Sequence, residues 1–157
     1  MTSIREKLVL EVIRRVETQE FENVSFSRVI RTEIPEDYDA SNGSLLAVLE
    51  GRETYNITAG RHQENQLELF LSFAIPLAEG EEPQAVANNV AAELVRALSG
   101  QHTLEEGGDG TGGDKLACGF TAVATEPNLT DDMDNCAAAT VEFAIRYRTR
   151  LHDLFTV

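Results

Sequence analysis

Ile4, Leu8, Val12 and Val16, flanked by Val9 and Ile13, recur at helical spacing and form one apolar stripe. Arg5, Lys7, Glu11, Arg14 and Arg15 fall largely outside it. Ser3 and Glu6 stand in capping-box spacing at its start, so the pattern predicts an amphipathic helix over about residues 3–19. From Phe21 to Glu33 the period changes: Val24, Phe26, Arg28 and Ile30 share one parity, which suits a half-buried strand or an irregular edge segment. "EIPEDYDASNG" reads as a solvated loop, with Pro35, Gly43 and several acidic residues. "SLLAVLEG" then predicts a short strand ending at Gly51, with "ETYNITAG" as a second strand pairing with it.

The clearest alternation is in "QLELFLSFAIPL", where Leu67, Leu69, Leu71, Phe73 and Ile75 point to one side and Pro76 ends the run. After the acidic "AEGEE", Pro83 suits a first helical turn. Val86, Val90, Leu94 and Leu98, with Ala87, Ala91 and Ala97, make a second helical stripe that Gly100 is placed to stop. The segment 104–114 holds five glycines between Gly107 and Gly113, and its entropy predicts a flexible acidic loop. "LACGFTAVAT" and "AATVEFAIRYRTRL" read as two further strands around the acidic loop "EPNLTDDMDN". Strands grouped between only two helices predict a single α+β domain: a mostly antiparallel mixed sheet with both helices on one face.

Charge changes this picture. The chain carries 13 basic and 27 acidic residues, and the imbalance is local: residues 32–139 hold 4 basic and 20 acidic groups, while both ends are near neutral. Such a charge disfavours broad binding to nucleic acid or to an anionic membrane. A length of 157 residues fits one domain with an aliphatic core, as there is no Trp. The start "MTSIREKLVL" lacks a secretory pattern, and no run approaches the roughly 20 apolar residues of a membrane span, so a soluble cytoplasmic product is expected. Cys118 and Cys136, without CxxC or metal-ligand spacing, read as reduced and buried rather than bridged.

Candidate chemistry is sparse. The Gly-rich run lacks the Gly-Lys-Ser/Thr ending of a phosphate loop, because Asp114, Lys115 and Leu116 follow Gly113. Asp109 and Asp114 are too few for a calcium loop. His62, His102 and His152 are dispersed and read as surface residues. No residue is assigned to catalysis, to a cofactor or to a metal, and a non-enzymatic role is expected. Dispersed carboxylates can still converge in a fold, which keeps an enzyme reading open.

Three stretches together resemble the tail terminator (tail completion) family of long-tailed bacteriophages. The first is the opening helix followed by "FENVSFSRVIRTEIPEDYDASNGSLLAVLEGRETYN"; the second is "LELFLSFAIPLAEGEEPQAVANNVAAELVRALSG"; the third is "VEFAIRYRTRLHDLF". They are patterns of element order and residue class and cover most of the chain. The resemblance implies a non-enzymatic homo-oligomeric ring, expected to be a hexamer, assembled in the host cytoplasm and located in the virion at the head-tail junction. Such a ring caps the tail tube, stops its polymerisation and meets the head-tail connector protein, while DNA passes through without specific binding. The resemblance implies no cofactor and transfers no catalytic residue.

Within that expectation Arg146, Arg148 and Arg150 share one face of the last strand. Either they meet carboxylates of a neighbouring subunit through forked hydrogen bonds, or they cover the solvent face of an edge strand. Gly108, Asp109, Gly110, Thr111 and Gly112 are the candidate partner-contact loop. The competing reading is a small acidic adaptor or ligand-binding domain, monomeric or dimeric.

Overall fold

Ser3 caps the first helix as its spacing implies: its hydroxyl accepts from the Glu6 backbone N–H at 3.2 Å, and α1 runs Ile4–Thr18. The computed structural model of the chain describes residues 2–58, 60–105, 115–127, 135–152 and 154. After α1 come β1 (Arg28–Ile30), a 3₁₀ turn (Ala40–Asn42), β2 (Leu45–Ile57), β3 (His62–Pro76), α2 (Pro83–Leu98), β4 (Gly100–Glu105), β5 (Lys115–Pro127) and β6 (Cys136–Arg150). The strands form one sheet in the order β1-β2-β3-β6-β5-β4, antiparallel throughout except that β1 pairs parallel with β2. The α+β expectation thus holds.

Both helices cover the same face. Ile4, Leu8, Val9, Val12 and Val16 of α1 and Val90, Ala91, Leu94 and Leu98 of α2 join one buried cluster. It also takes in Leu46 and Val48 of β2, Leu67 to Phe73 at odd positions in β3, and Val141, Phe143 and Ile145 of β6. Each such Val, Leu, Ile or Phe side chain contributes about 1.5–3 kcal/mol when taken from water. The strand β6 is inserted between β3 and β5, paired with β3 from Cys136 to Arg150 and with β5 from Ala139 to Tyr147.

Four sequence expectations are corrected. "SLLAVLEG" and "ETYNITAG" do not pair with each other; they are one strand, β2, with a register irregularity between Glu50 and Glu53. Gly51 is the pivot rather than the terminus. A Cβ there would lie 2.6 Å from the Phe70 ring and 2.9 Å from Glu68 Cβ, and the Arg52 N–H donates to Glu68 Oε2 at 3.2 Å. The central alternation of β3 starts at His62, four residues before Gln66, because Gln63 and Asn65 continue the inward parity as polar residues. Finally, β4 lies where a loop is predicted: Leu104 and Glu105, expected in the flexible segment, pair with Leu116 and Lys115. Gly100, with φ +126, ends the helix as expected and also opens this strand.

Between Phe21 and Glu33 only Arg28–Ile30 is strand, with Val24 buried and Phe21 edge-on to Phe26 at 5.8 Å, which is the irregular-edge alternative. The candidate loop Gly108–Gly112 lies outside the described residues. No helix among the described residues is long and apolar enough to cross a membrane. Cys118 and Cys136 are both buried free thiols, and burial pushes the Cys118 thiol up to about 11.

Candidate functional site

Strand alternation divides β6 between two environments. Odd positions from Ala137 to Thr149 face the helices, and Tyr147 and Thr149 extend that buried row past the aliphatic core. Even positions face away, and there Arg146, Arg148 and Arg150 are exposed in a row. The predicted shared face of the three arginines is therefore present. The edge-strand version of the solvent reading fails at Arg146, which lies between β3 and β5, but not at Arg148 and Arg150, which pair with β3 beyond the last β5 partner at Tyr147.

On the inward face the polar groups are paired to one another. Gln63 donates to Asn65 Oδ1 at 3.0 Å, Asn65 donates to Thr149 Oγ1 at 2.9 Å, and the His152 N–H donates to Gln63 Oε1 at 3.4 Å. The chain beyond β6 folds back over this ladder: the Leu151 N–H donates to Arg61 O, and Leu154 O accepts from the Ile4 N–H at 3.0 Å. That last bond satisfies an orphan donor of the first helical turn. Beside the ladder, Tyr147 and Tyr55 both donate to the Glu53 carboxylate, whose side chain is 4% exposed. Burial, reinforced by that bond, holds the Tyr147 hydroxyl protonated far above the usual tyrosine range. Arg5 links Glu53 to Glu50, and Arg31 bridges Glu50 to Glu6 with two bonds to the Glu6 carboxylate at 2.6 and 3.0 Å. These ion pairs pin α1 to the first two strands.

Among the described residues, no helix lies on the outward face. Its lower end is covered by the segment carrying Tyr38, whose hydroxyl donates to Gly43 O and Ala74 O. Higher up, the Ser72 and Thr140 hydroxyls meet at 2.7 Å. At the upper end lies a half-open groove of about 620 Å³, walled by Asn56, Glu64, Gln66, Gln101, Thr121 and Arg146 among others. Its floor is low at Gly119, directly across from Arg146, where a Cβ would come 2.8 Å from Gln101 Nε2. Arg146 Nε donates to Gln66 Oε1 at 3.3 Å, an amide rather than a carboxylate. Arg148 donates twice to Glu64 Oε1, at 3.1 and 2.7 Å. With side chains 72% and 47% exposed, that pair is worth about 0–1 kcal/mol. Arg150 stands opposite His62.

Of the three arginines, Arg148 meets a carboxylate, Glu64 of its own chain, whereas the inter-subunit expectation is a carboxylate of a neighbouring subunit. The groove offers amides, a hydroxyl and guanidinium groups, the chemistry of hydrogen-bonding to a peptide or a carboxylate. Among the described residues, no group of three or more His, Cys, Asp and Glu is placed to hold a metal ion.

His102 departs from its surface expectation. Its Nδ1 accepts from Arg15 Nη1 at 2.6 Å, its Nε2–H donates to Leu98 O at 2.7 Å, and its ring stands edge-on to Phe120 at 4.9 Å. It ties the end of α2 to α1 and β5 in a structural role. The Glu53, Tyr55 and Tyr147 cluster and the Gln63, Asn65 and Thr149 ladder were not singled out from the sequence. The signal for both was the parity of "RYRTR", which sends Tyr147 and Thr149 inward whenever the arginines go out. No protein-family model matches the chain, and no curated protein matches it.

Proposed function

We propose that this chain is the subunit of a structural ring, expected to hold six copies, that caps a phage tail tube, ends its polymerisation and joins it to the head-tail connector. The observation that carries the reading is the exposed row Arg146, Arg148 and Arg150 on the face of β6 turned away from both helices, beside a hydrogen-bonding groove. Arg146 stands where β6 is paired on both sides and needs no charge to protect it from edge pairing, so recognition accounts for it better than protection. Arg148 already holds a glutamate of its own chain in an exposed pair, and exchanging that partner for a neighbour's carboxylate costs little. The α+β architecture also fits the element order on which the resemblance rests.

The test is functional capping. Added to polymerising tail-tube protein, the purified chain is expected to arrest growth and to decorate one tube end as a ring in electron micrographs. Unchanged tube lengths with bare ends would remove the proposal. The same groove is the observation that favours a second reading, an acidic adaptor binding a peptide or a small carboxylate in 1:1 complexes, and a monomeric chain would point there.

A further inference from the structure

Besides the outer sides of the short edge strands β1 and β4, two stretches of the longer strands have no neighbouring strand among the described residues, and they lie at opposite corners. On one margin β1 pairs with β2 only at Leu45–Ala47, so the upper part of β2, through Ile57, has an open side. On the other margin β4 pairs with β5 only from Lys115 to Phe120, so β5 from Thr121 to Pro127 is open at the lower end. Among the described residues no strand and no backbone hydrogen bond from a loop covers the open side of residues 52–57 or 121–127. The apolar exposure concentrates there too. Of the four large hydrophobic side chains exposed among the described residues, Tyr55 (49%), Ile57 (70%) and Val123 (57%) all sit on these stretches, and only Leu10 lies elsewhere. Monomeric proteins blunt such edges with lysine or by making them short, whereas these carry an aromatic and β-branched residues.

We infer that the two open edges are halves of one joint, in which β5 of one subunit pairs with β2 of the next and continues the sheet from copy to copy. The inference rests on the ring reading and names its interface. β2 and β5 run in opposite directions within the sheet, so copies placed side by side in the same orientation bring them together antiparallel. A register with Thr54 opposite Ala124 sets Glu53 against Thr125 in the regular stretches, and brings the bulge residue Val123 to the level of Tyr55 and the bulge residue Arg52 to that of Glu126, of opposite charge. Thr54 and Ala124 then share the helix-free face, since their ladder partners Gln66, Arg146 and Glu142 lie on it.

The corners fit as steps. In this register the next copy's β1 ends just below Pro127, and its Ile57 reaches the level at which β4 begins. Neighbours are offset along the strands by about four to five residues, or ~15 Å, while each copy adds four strands from joint to joint, or ~19 Å. A closed ring then needs strands tilted by roughly 38° from its axis, within the 35–45° that closed sheets adopt. Because the two edges are different surfaces, the contact is head-to-tail and generates rings or filaments rather than a two-fold dimer. The bulge at each edge bends the strand locally, at Gly51–Arg52 and at Val123, and leaves residues 53–57 and 124–126 in regular alternation.

Cross-linking tests the joint. The T54C/A124C double variant, mildly oxidised, is expected to give a ladder of covalent oligomers on denaturing gels, because facing strand residues lie within disulfide reach. T54C and A124C alone, and the parent chain with its buried thiols, are expected to give none. Dimers from T54C alone would show β2 pairing with β2 and overturn the inference. An assembled ring of intact mass in which the double variant fails to cross-link would overturn the joint while leaving the ring standing. A chain that stays monomeric at all concentrations would overturn both. As a second measure, I57K/V123K changes only exposed side chains; it is expected to keep native circular dichroism and lose assembly, and undiminished assembly would also reject the joint.

Discussion

The two faces of β6 are built from consecutive residues and behave as different materials. Tyr147 is buried, donates to a nearly inaccessible Glu53 and is held protonated, whereas Arg148, one residue on, is exposed and holds Glu64 loosely. Inside, each polar group described has a partner from its own chain at a fixed position, because an unpaired buried donor or acceptor costs about 1–3 kcal/mol. Outside, pairing in water is worth so little that partners can be exchanged. The lesson is that charge on a strand acquires its meaning from the face it occupies: stability lies on one side of β6, and recognition is assigned to the other.

Substitutions along that strand should separate the two faces. The largest effect is expected from Phe143→Ala, which empties a fully buried site and should lower unfolding free energy by about 3–5 kcal/mol in denaturant titrations. Tyr147→Phe removes one donor from the buried Glu53 carboxylate and should cost about 1–3 kcal/mol. Replacing Arg146, Arg148 and Arg150 together by Gln should change monomer stability by under about 1 kcal/mol. The same variant should assemble poorly and lose the salt dependence of the parent. Assembly unaffected by the triple change would return the row to a plain solvated surface.

Titration sharpens the same contrast at three groups on the helix side, Glu11, Glu50 and Cys118. Bonding by Arg14 and Arg15, against partial burial, holds Glu11 below the ordinary glutamate value of 4.5; at Glu50 the bonds from Arg5 and Arg31 outweigh the burial that opposes them. Their contribution is present above that value and is lost as pH falls through the depressed folded values, so acid should destabilise the chain below about pH 4.5. Cys118 has the opposite sense. Its thiol is raised by burial from 9.0 to about 11, so its contribution is complete below pH 9.0 and is lost as pH rises towards 11. Cys118→Ala should flatten that alkaline limb, as read by melts at stepped pH. The smallest expected signal is a null one: with a formal charge of −14 per chain, no binding to duplex DNA should be measurable at physiological salt by fluorescence anisotropy. Micromolar binding that fades with salt would instead make the arginines phosphate ligands.

Much of the fold was legible in the sequence because one face of each element is apolar. The stripe through Ile4, Leu8 and Val12 and the alternation from Leu67 to Ile75 needed no tertiary information. What escaped has physical reasons. Gly51 reads as a stop, yet its missing Cβ lets Phe70 and Glu68 close on a bulge. β4 has little apolar alternation and is specified by its pairing with β5. Gln63 and Asn65 look solvated until Thr149 is brought beside them by a strand 84 residues away. The arginine row was visible as a face, since period two is local, but the two-sided pairing at Arg146 depends on β6 entering between β3 and β5. The open corners follow from strand lengths that only the long-range pairing defines.

The most direct test of the account is the mass of the chain in solution at moderate salt, by native mass spectrometry or light scattering across a concentration series. A closed assembly of fixed stoichiometry, six copies, is the predicted result, with the triple arginine variant shifted towards monomer at the same concentration. A parent chain that remains a monomer at every concentration, or stops at a two-fold dimer, would contradict it.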